Sequence, residues 1–117
     1  MQKLIRVKQN RNFKFDHMKI NIQAPHLNVN QSLVNFINKK LDKLNLVYDK
    51  IISSEVLLKV NNTSEKENKI VEVLLHIPGG QLVIKKEAAT FEAAIDDGAH
   101  SLRRRLKRRK EKQRTRA

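Results

Sequence analysis

The sequence contains no cysteine and no tryptophan, and its aromatic side chains are four phenylalanines and one tyrosine. The absence of cysteine excludes disulfide bonds, thiolate metal sites and cysteine nucleophiles. No apolar run approaches the roughly 20 residues that a membrane-spanning helix requires, and the basic segment Met1–Phe15 lacks the continuous apolar stretch of a secretory signal. The 117 residues suffice for one domain with a single core. We therefore expect a cytoplasmic domain that folds without a cofactor.

Acidic residues are also scarce, with 12 Asp and Glu against 25 Lys and Arg, so the net charge is +13. The excess lies at the two ends of the chain. Met1–His17 has five Lys or Arg against one Asp (+4), and Arg103–Ala117 has ten against one Glu (+9). The residues between them, Met18–Leu102, are neutral in sum. This distribution predicts a neutral folded body that presents cationic segments to a polyanion.

Two segments carry apolar residues at helical spacing. The first follows Asn30 and the second follows Thr90, and both residue types are good helix N-caps. Each segment predicts one buried stripe, formed by Leu33, Phe36, Ile37, Leu41 and Leu44 in the first helix and by Phe91, Ile95, Ala99, Leu102 and Leu106 in the second. Beyond Leu106 the only apolar residue is Ala117. We therefore expect the last residues to form an arm that does not pack on the core.

Four segments alternate between apolar and polar residues and predict strands: Lys19–Gln23, Ser54–Val60, Lys69–Ile77 and Gln81–Ala88. Pro78-Gly79-Gly80 predicts a tight hairpin between the last two. The predicted order is therefore β-α-β-β-β-α, an α+β fold in which a four-stranded sheet carries two helices on one face. Residues 1–17 are then a basic N-terminal extension, residues 18–106 the α+β domain and residues 107–117 a basic C-terminal arm.

Candidate catalytic and metal-binding residues are few. The four histidines, His17, His26, His76 and His100, share no metal-ligand spacing. Asp96 and Asp97 are adjacent carboxylates, but they lie early in a predicted helix, where the helix dipole favours acids. Gly79 and Gly80 lack the flanking residues of a phosphate-binding loop. We expect no metal, no small-molecule substrate and no enzyme activity.

The strongest signal is a cluster of eight cationic side chains within ten residues: Arg103, Arg104, Arg105, Lys107, Arg108, Arg109, Lys110 and Lys112. Like charges four residues apart repel on a helix, so phosphates would stabilise this segment. Arginine outnumbers lysine, which favours bidentate contact with phosphate. An anionic membrane and an acidic protein are alternative polyanions, but a membrane-surface helix needs a bulky apolar face that is absent beyond Leu106. We expect a nucleic acid.

The aromatic and uncharged polar side chains of the predicted elements indicate which type of nucleic acid is bound. The predicted strands show no exposed aromatic pair to stack single-stranded bases, and neither helix has the uncharged polar set of a major-groove reader. Recognition of backbone and shape suits folded RNA. Lys39 and Lys43 on the first helix can join the last helix in one layer, with Lys40 bordering the core. Lys85 and Lys86 point to opposite faces of the fourth predicted strand.

From about Met18 to Lys112 the chain resembles the short ribosome hibernation promoting factors and ribosome-associated inhibitors. The resemblance rests on LDKLNLVYDKI (residues 41–51), EVLLKV (55–60), HIPGGQLVIKKEAATFEAAID (76–96) and LRRRLKRRKEK (102–112) in this order. It implies a domain in the decoding region of the small ribosomal subunit, which binds rRNA and excludes messenger and transfer RNA, so that translation pauses reversibly during stress. The residues implied as contacts are Lys39, Lys43, Arg103, Arg104, Arg105, Lys107, Arg108 and Arg109, with Lys85 and Lys86 in a matching basic stretch.

Three points differ from this pattern or leave alternatives open. Family members that pair ribosomes by themselves carry a C-terminal dimerisation domain, which we do not expect here because the chain stops at Ala117. Met1–His17 precedes the family-like start at Met18, and is either a second basic arm or the product of an upstream start codon. A double-stranded RNA-binding domain, whose α-β-β-β-α order is contained in this one, and a constitutive ribosomal protein are the alternative functions.

Overall fold

The computed structural model of the chain describes residues 4–6, 18–61 and 68–115. Its strands are β1 (Leu4–Arg6), β2 (Lys19–Gln23), β3 (Ser53–Val60), β4 (Lys69–Ile77) and β5 (Gly80–Ala88). They form one sheet in the order β1-β2-β3-β4-β5. The pair β2–β3 is parallel and the other pairs are antiparallel. A parallel pair requires a crossover connection, and the first predicted helix lies in that connection.

The predicted α+β fold with four strands, β2 to β5, is confirmed. The structure adds one short strand, β1, which pairs with the outer edge of β2 through the register Ile5 to Ile22. It lies inside the segment predicted as a basic N-terminal extension. The other residues of that segment, 1–3 and 7–17, lie outside the described residues.

The helices begin at the predicted caps. Helix α1 spans Gln31–Asp42 and continues into a short 3-10 helix, Lys43–Leu46. The Asn30 Oδ1 atom accepts a hydrogen bond of 2.8 Å from the Leu33 amide. Helix α2 spans Phe91–Thr115, and Thr90 Oγ1 accepts a hydrogen bond of 3.1 Å from the Ala93 amide. Each cap satisfies an amide that has no partner inside the helix.

Both helices pack on the same face of the sheet, and the core lies between the two layers. The largest fully buried side chains come from every part of this sandwich: Ile22, Ile37, Leu41, Leu58, Leu75, Ile95, Leu102 and Leu106. Tyr48 is also buried, after the 3-10 helix. The stripe of α1 is wider than the sequence predicted, because Asn38, placed outside it, is only 8% exposed. We attribute this to the packing of α1 against both the sheet and α2, which covers more of its circumference.

Helix α2 approaches the sheet closely at Gly98. A Cβ atom at this position would lie 2.7 Å from Cδ1 of Ile84 on β5, well inside the normal contact distance of two carbon atoms. The missing side chain therefore allows α2 to lie directly against β5.

Helix α2 does not break at Leu106. It is 25 residues long, so it extends over about 37 Å at the usual rise per residue, and its second half is the predicted basic cluster. The boundary placed after residue 106 therefore divides one continuous helix, and it stays a prediction as a domain boundary. No helix among the described residues combines the length and the apolar character needed to cross a membrane.

Candidate nucleic-acid interface

The two helices lie side by side and leave a groove open to solvent between them. The groove brings together charged residues of α1, the 3-10 helix and α2; its lining consists of Lys40, Lys43, Leu44, Asp96, Ala99, His100 and Arg103. Lys43 and Arg103, two predicted RNA-binding residues 60 positions apart in the sequence, thus lie in one groove. The expectation that the first and last helices share a layer is confirmed by this packing.

An ion pair between two partly exposed side chains of the groove lining connects the helices. Lys40 Nζ lies 2.9 Å from Asp96 Oδ1, and the same ammonium lies 5.5 Å from the centre of the Phe36 ring, within the range of a cation–π contact. The hydrogen bond from Lys40 holds the pKa of Asp96 below its ordinary value, helped by the positive charges of Lys40 and His100 and opposed by burial. Lys40 therefore has a structural partner in the folded protein.

This ion pair predicts a pH dependence of stability. Because the folded pKa of Asp96 is depressed, its contribution is present above the ordinary Asp pKa and is lost as the pH falls through the lowered value. Asp96→Asn should therefore reduce the free energy of unfolding at pH 7 and have a smaller effect near pH 2.5. Urea unfolding at both pH values measures the difference, with Asp49→Asn, at an exposed position outside the groove lining, as the control. An equal effect of Asp96→Asn at both pH values would contradict the ion pair.

The exposed cations of α2 extend from the groove to the outer face of the helix. Arg103 lines the groove, and Lys107 and Lys110 continue the same side of α2 at steps of four and three residues. Arg104 and Arg108, one turn apart, are exposed on the outer side. The remaining predicted contacts on or beside this surface, all exposed, are Lys39, Lys43 and Lys112. A run of exposed cations along one helix is able to follow a phosphate backbone.

Two arginines of the cluster contact parts of the protein outside their own helix. Arg105 Nη1 donates a hydrogen bond of 2.7 Å to the carbonyl of Val83 on β5. Arg109 Nη2 donates one of 2.9 Å to the carbonyl of Pro78 in the β4–β5 turn. The sequence predicted an arm beyond Leu106 that does not pack on the core; Arg109 of this arm nonetheless bonds the β4–β5 turn at the protein surface. Charge and helical spacing alone gave no signal of these partners, which lie 22 and 31 residues away.

Lys85 and Lys86 are not brought together with the other cations. Lys86 faces α2, where its Nζ lies 3.8 Å from Asp97 Oδ2. Lys85 is exposed on the opposite face of the sheet, which no described helix covers. The predicted split of these two side chains between the faces of β5 is therefore confirmed. Their contact with RNA stays a prediction.

Two contacts join titratable side chains on the uncovered face of the sheet. His76 Nε2 lies 3.0 Å from Glu55 Oε2, and Lys59 Nζ lies 2.8 Å from Glu72 Oε2. His76 is thus on the outer face, as the strand alternation predicted. Within residues 18–61 and 68–115, no three His, Asp or Glu side chains are placed to hold a metal ion. Because acids accompany the lysines on the sheet face, whereas most exposed charges of α2 beyond Leu102 are cations, the positive charge of the described body is concentrated on the helix layer.

The chain is similar in sequence to a known protein family. Residues 20–114 match the family model described as Sigma 54 modulation protein / S30EA ribosomal protein. The ribosome hibernation promoting factor of Pseudomonas putida is 40% identical over 96 residues, which cover 82% of this chain and 90% of that protein. The protein of the same name from Escherichia coli K12 is 32% identical over 95 residues, covering 81% and 96% of the two chains.

Two solved structures share the fold. The crystal structure of the Thermus thermophilus Protein Y N-terminal domain superposes with a TM-score of 0.66 at 24% identity, and covers 80% of this chain and 98% of that one. A ribosomal subunit interface protein from Coxiella burnetii gives a TM-score of 0.70 at 21% identity, with coverage of 79% and 97%. At these identities the likeness concerns the architecture, an α+β sandwich with two helices on one side of the sheet.

Proposed function

Since the chain belongs to the Sigma 54 modulation protein / S30EA ribosomal protein family, with ribosome hibernation promoting factors among its relatives, we propose that it is itself a ribosome hibernation factor of the cytoplasm. It binds rRNA in the decoding region of the small ribosomal subunit. Bound there, it occupies the positions of messenger and transfer RNA and inhibits translation reversibly. It catalyses no reaction and uses no cofactor.

The observation that carries the proposal is the surface of exposed cations on the helix layer, supplied mainly by the second half of α2. Phosphate contacts supply most of the affinity of such proteins for a nucleic acid and carry no base specificity. The residues that we propose as RNA contacts are exposed cations of this layer, leaving out Arg105 and Arg109, which bond carbonyls of β5 and of the β4–β5 turn: Lys39, Lys43, Arg103, Arg104, Lys107, Arg108, Lys110 and Lys112. Specificity for the ribosome then rests on the shape of the rRNA surface that fits them.

Inhibition by occupancy needs a rigid body rather than an active site. The described residues form a sheet and two helices with a continuous core, and α2 extends this body along one axis. A rigid domain held by many phosphate contacts excludes other RNA from the volume that it fills. Reversal requires only dissociation, which a change in factor abundance or in competing ligands can cause.

Sedimentation of the tagged protein in lysates of growing and starved cells tests the proposal. We expect comigration with small subunits or whole ribosomes in starved cells only, and release when the salt concentration is raised, since phosphate contacts are screened. Equal comigration in both growth states would indicate a constitutive ribosomal protein. Absence from ribosomal fractions in both states would contradict the proposal and favour a function on other double-stranded RNA. A lysate with the tag alone is the control.

A further inference from the structure

We infer that Arg109, although part of the basic cluster, is a positioning residue that fastens the end of α2 to the β4–β5 turn. Its guanidinium holds the following helical turns in the direction that the exposed cations need. The consequence for binding rests on the proposed function. The fastening itself is a property of the free protein, so it can be tested without a ribosome.

The contacts of Arg109 are those of a side chain committed to the protein surface. Besides the 2.9 Å hydrogen bond to the Pro78 carbonyl, its Nη2 atom lies 3.5 Å from the place where a Cβ atom would stand on Gly79. The side chain is only partly exposed, and its Nε atom is buried. The guanidinium therefore lies over the turn, between the helix and the hairpin. Arg108, the preceding residue, is exposed.

Two further contacts fasten the same helix. One turn earlier, Arg105 bonds the Val83 carbonyl at 2.7 Å. One turn later, Gln113 Nε2 lies 3.3 Å from the hydroxyl of Tyr48. Arg105 is exposed, so its remaining donors are open to other partners. Arg109 lies at the centre of the series and, unlike Arg105 and Gln113, is partly buried.

The second half of α2 would be unstable without a tertiary contact. Cations four residues apart repel one another, and the final turn of a helix frays when no tertiary contact holds it. The second half of α2 combines both problems, because it is rich in cations and ends at Thr115. A frayed end would have to be ordered when RNA binds, and that ordering would reduce the affinity. A contact with the hairpin in the free protein removes this cost.

Arginine suits the role better than lysine does. Its planar guanidinium donates hydrogen bonds in fixed directions and stacks on flat groups, whereas the lysine ammonium is a compact, strongly hydrated charge. Arg109→Lys therefore keeps the positive charge but loses the contact with the turn. At Arg108, which is exposed, the same change breaks no contact with the turn. The pair Arg109→Lys and Arg108→Lys is thus matched in chemistry and differs in the surroundings of the residue.

Amide hydrogen exchange of the free protein tests the fastening. In Arg109→Lys we expect exchange of residues 110–115 to be about tenfold faster, the lower end for loss of a hydrogen bond to a charged group, with the melting temperature nearly unchanged. In Arg108→Lys we expect exchange as in the parent protein. Equal exchange in the two variants and the parent protein would overturn the inference, whatever the protein binds.

Binding to purified small subunits at fixed salt is the second measurement. Arg109→Lys should bind about tenfold more weakly, whereas Lys19→Arg, a charge-conserving change on the uncovered sheet face, should leave the affinity unchanged. Equal losses in the two variants would overturn the inference that Arg109 acts by positioning. If neither the parent protein nor the variants bind subunits, the proposed function fails, and the exchange experiment still decides whether Arg109 fastens the helix.

Discussion

Reversing the charge of Arg104 and Arg108 together should weaken binding to the small ribosomal subunit on the order of 100-fold near physiological salt, since two phosphate contacts become two repulsions. Both side chains are exposed on the outer side of α2. Arg104 also donates a hydrogen bond of 3.2 Å to Ser101, but within its own helix. The fold should therefore tolerate Arg104→Glu/Arg108→Glu, with little change in melting temperature. Titration of labelled protein with purified subunits measures the loss.

The structure offers a control with the same change in total charge. Lys19 and Lys85 are exposed on strands of the uncovered sheet face, away from the helix layer. Lys19→Glu/Lys85→Glu lowers the net charge by the same four units, so both variants lose equally from general attraction to RNA. We expect the control to retain most of its affinity. If it loses as much as the α2 variant, binding does not use the helix layer selectively, and Lys85 gains support as an RNA contact.

Most of the fold could be predicted from the sequence because each element carries a strong local signal. The strands β3 and β4 alternate over eight and nine residues, and both helices have a side-chain cap at their first turn. Such signals involve residues that are close in the sequence. Strand β1 has only three residues, too few for an alternation to be visible, and its pairing with β2 depends on contacts distant in sequence.

In the basic cluster, the sequence reveals the charge but not the partner of each side chain. Composition predicted nucleic-acid binding, because a protein surface without a polyanionic partner rarely has eight cations in ten residues. It could not separate the cations that contact the protein from those that face solvent. That distinction depends on where the hairpin carbonyls of Pro78 and Val83 come to lie beside α2. Helical spacing also left Asn38 outside the buried stripe, because it describes one helix and not the two surfaces packed around it.

The helix layer and the uncovered sheet face differ in charge, and this difference affects how the protein is oriented when it approaches RNA. On the uncovered sheet face the charges of the described strands offset one another, because Lys19, Lys59 and Lys85 stand against Glu55, Glu72 and Glu87. The helix layer carries the excess. A polyanion is attracted to one side of such a molecule before contact, and the protein is turned toward the RNA as it approaches. This asymmetry favours a single docking orientation without base-specific contacts.

The affinity for small ribosomal subunits should depend steeply on the salt concentration. Eight exposed cations are proposed as RNA contacts, and if each meets a phosphate, the slope of log K against log salt should be roughly −6 to −7. Affinity for small subunits should then fall by about three to five orders of magnitude between roughly 50 and 200 mM monovalent salt. The magnesium concentration must be held constant, so that the subunits stay intact. Binding titrations at four or more salt concentrations give the slope.

The same titrations distinguish contact from positioning. Arg104→Glu/Arg108→Glu removes two proposed phosphate contacts, so its slope should be shallower by about two. Arg109→Lys keeps its charge and all the exposed cations, so its curve should shift to weaker binding with nearly the parent slope. A parent slope shallower than about −3 would mean that few phosphates are neutralised. Apolar or base contacts would then dominate, and the exposed cations of α2 would not be the basis of ribosome binding.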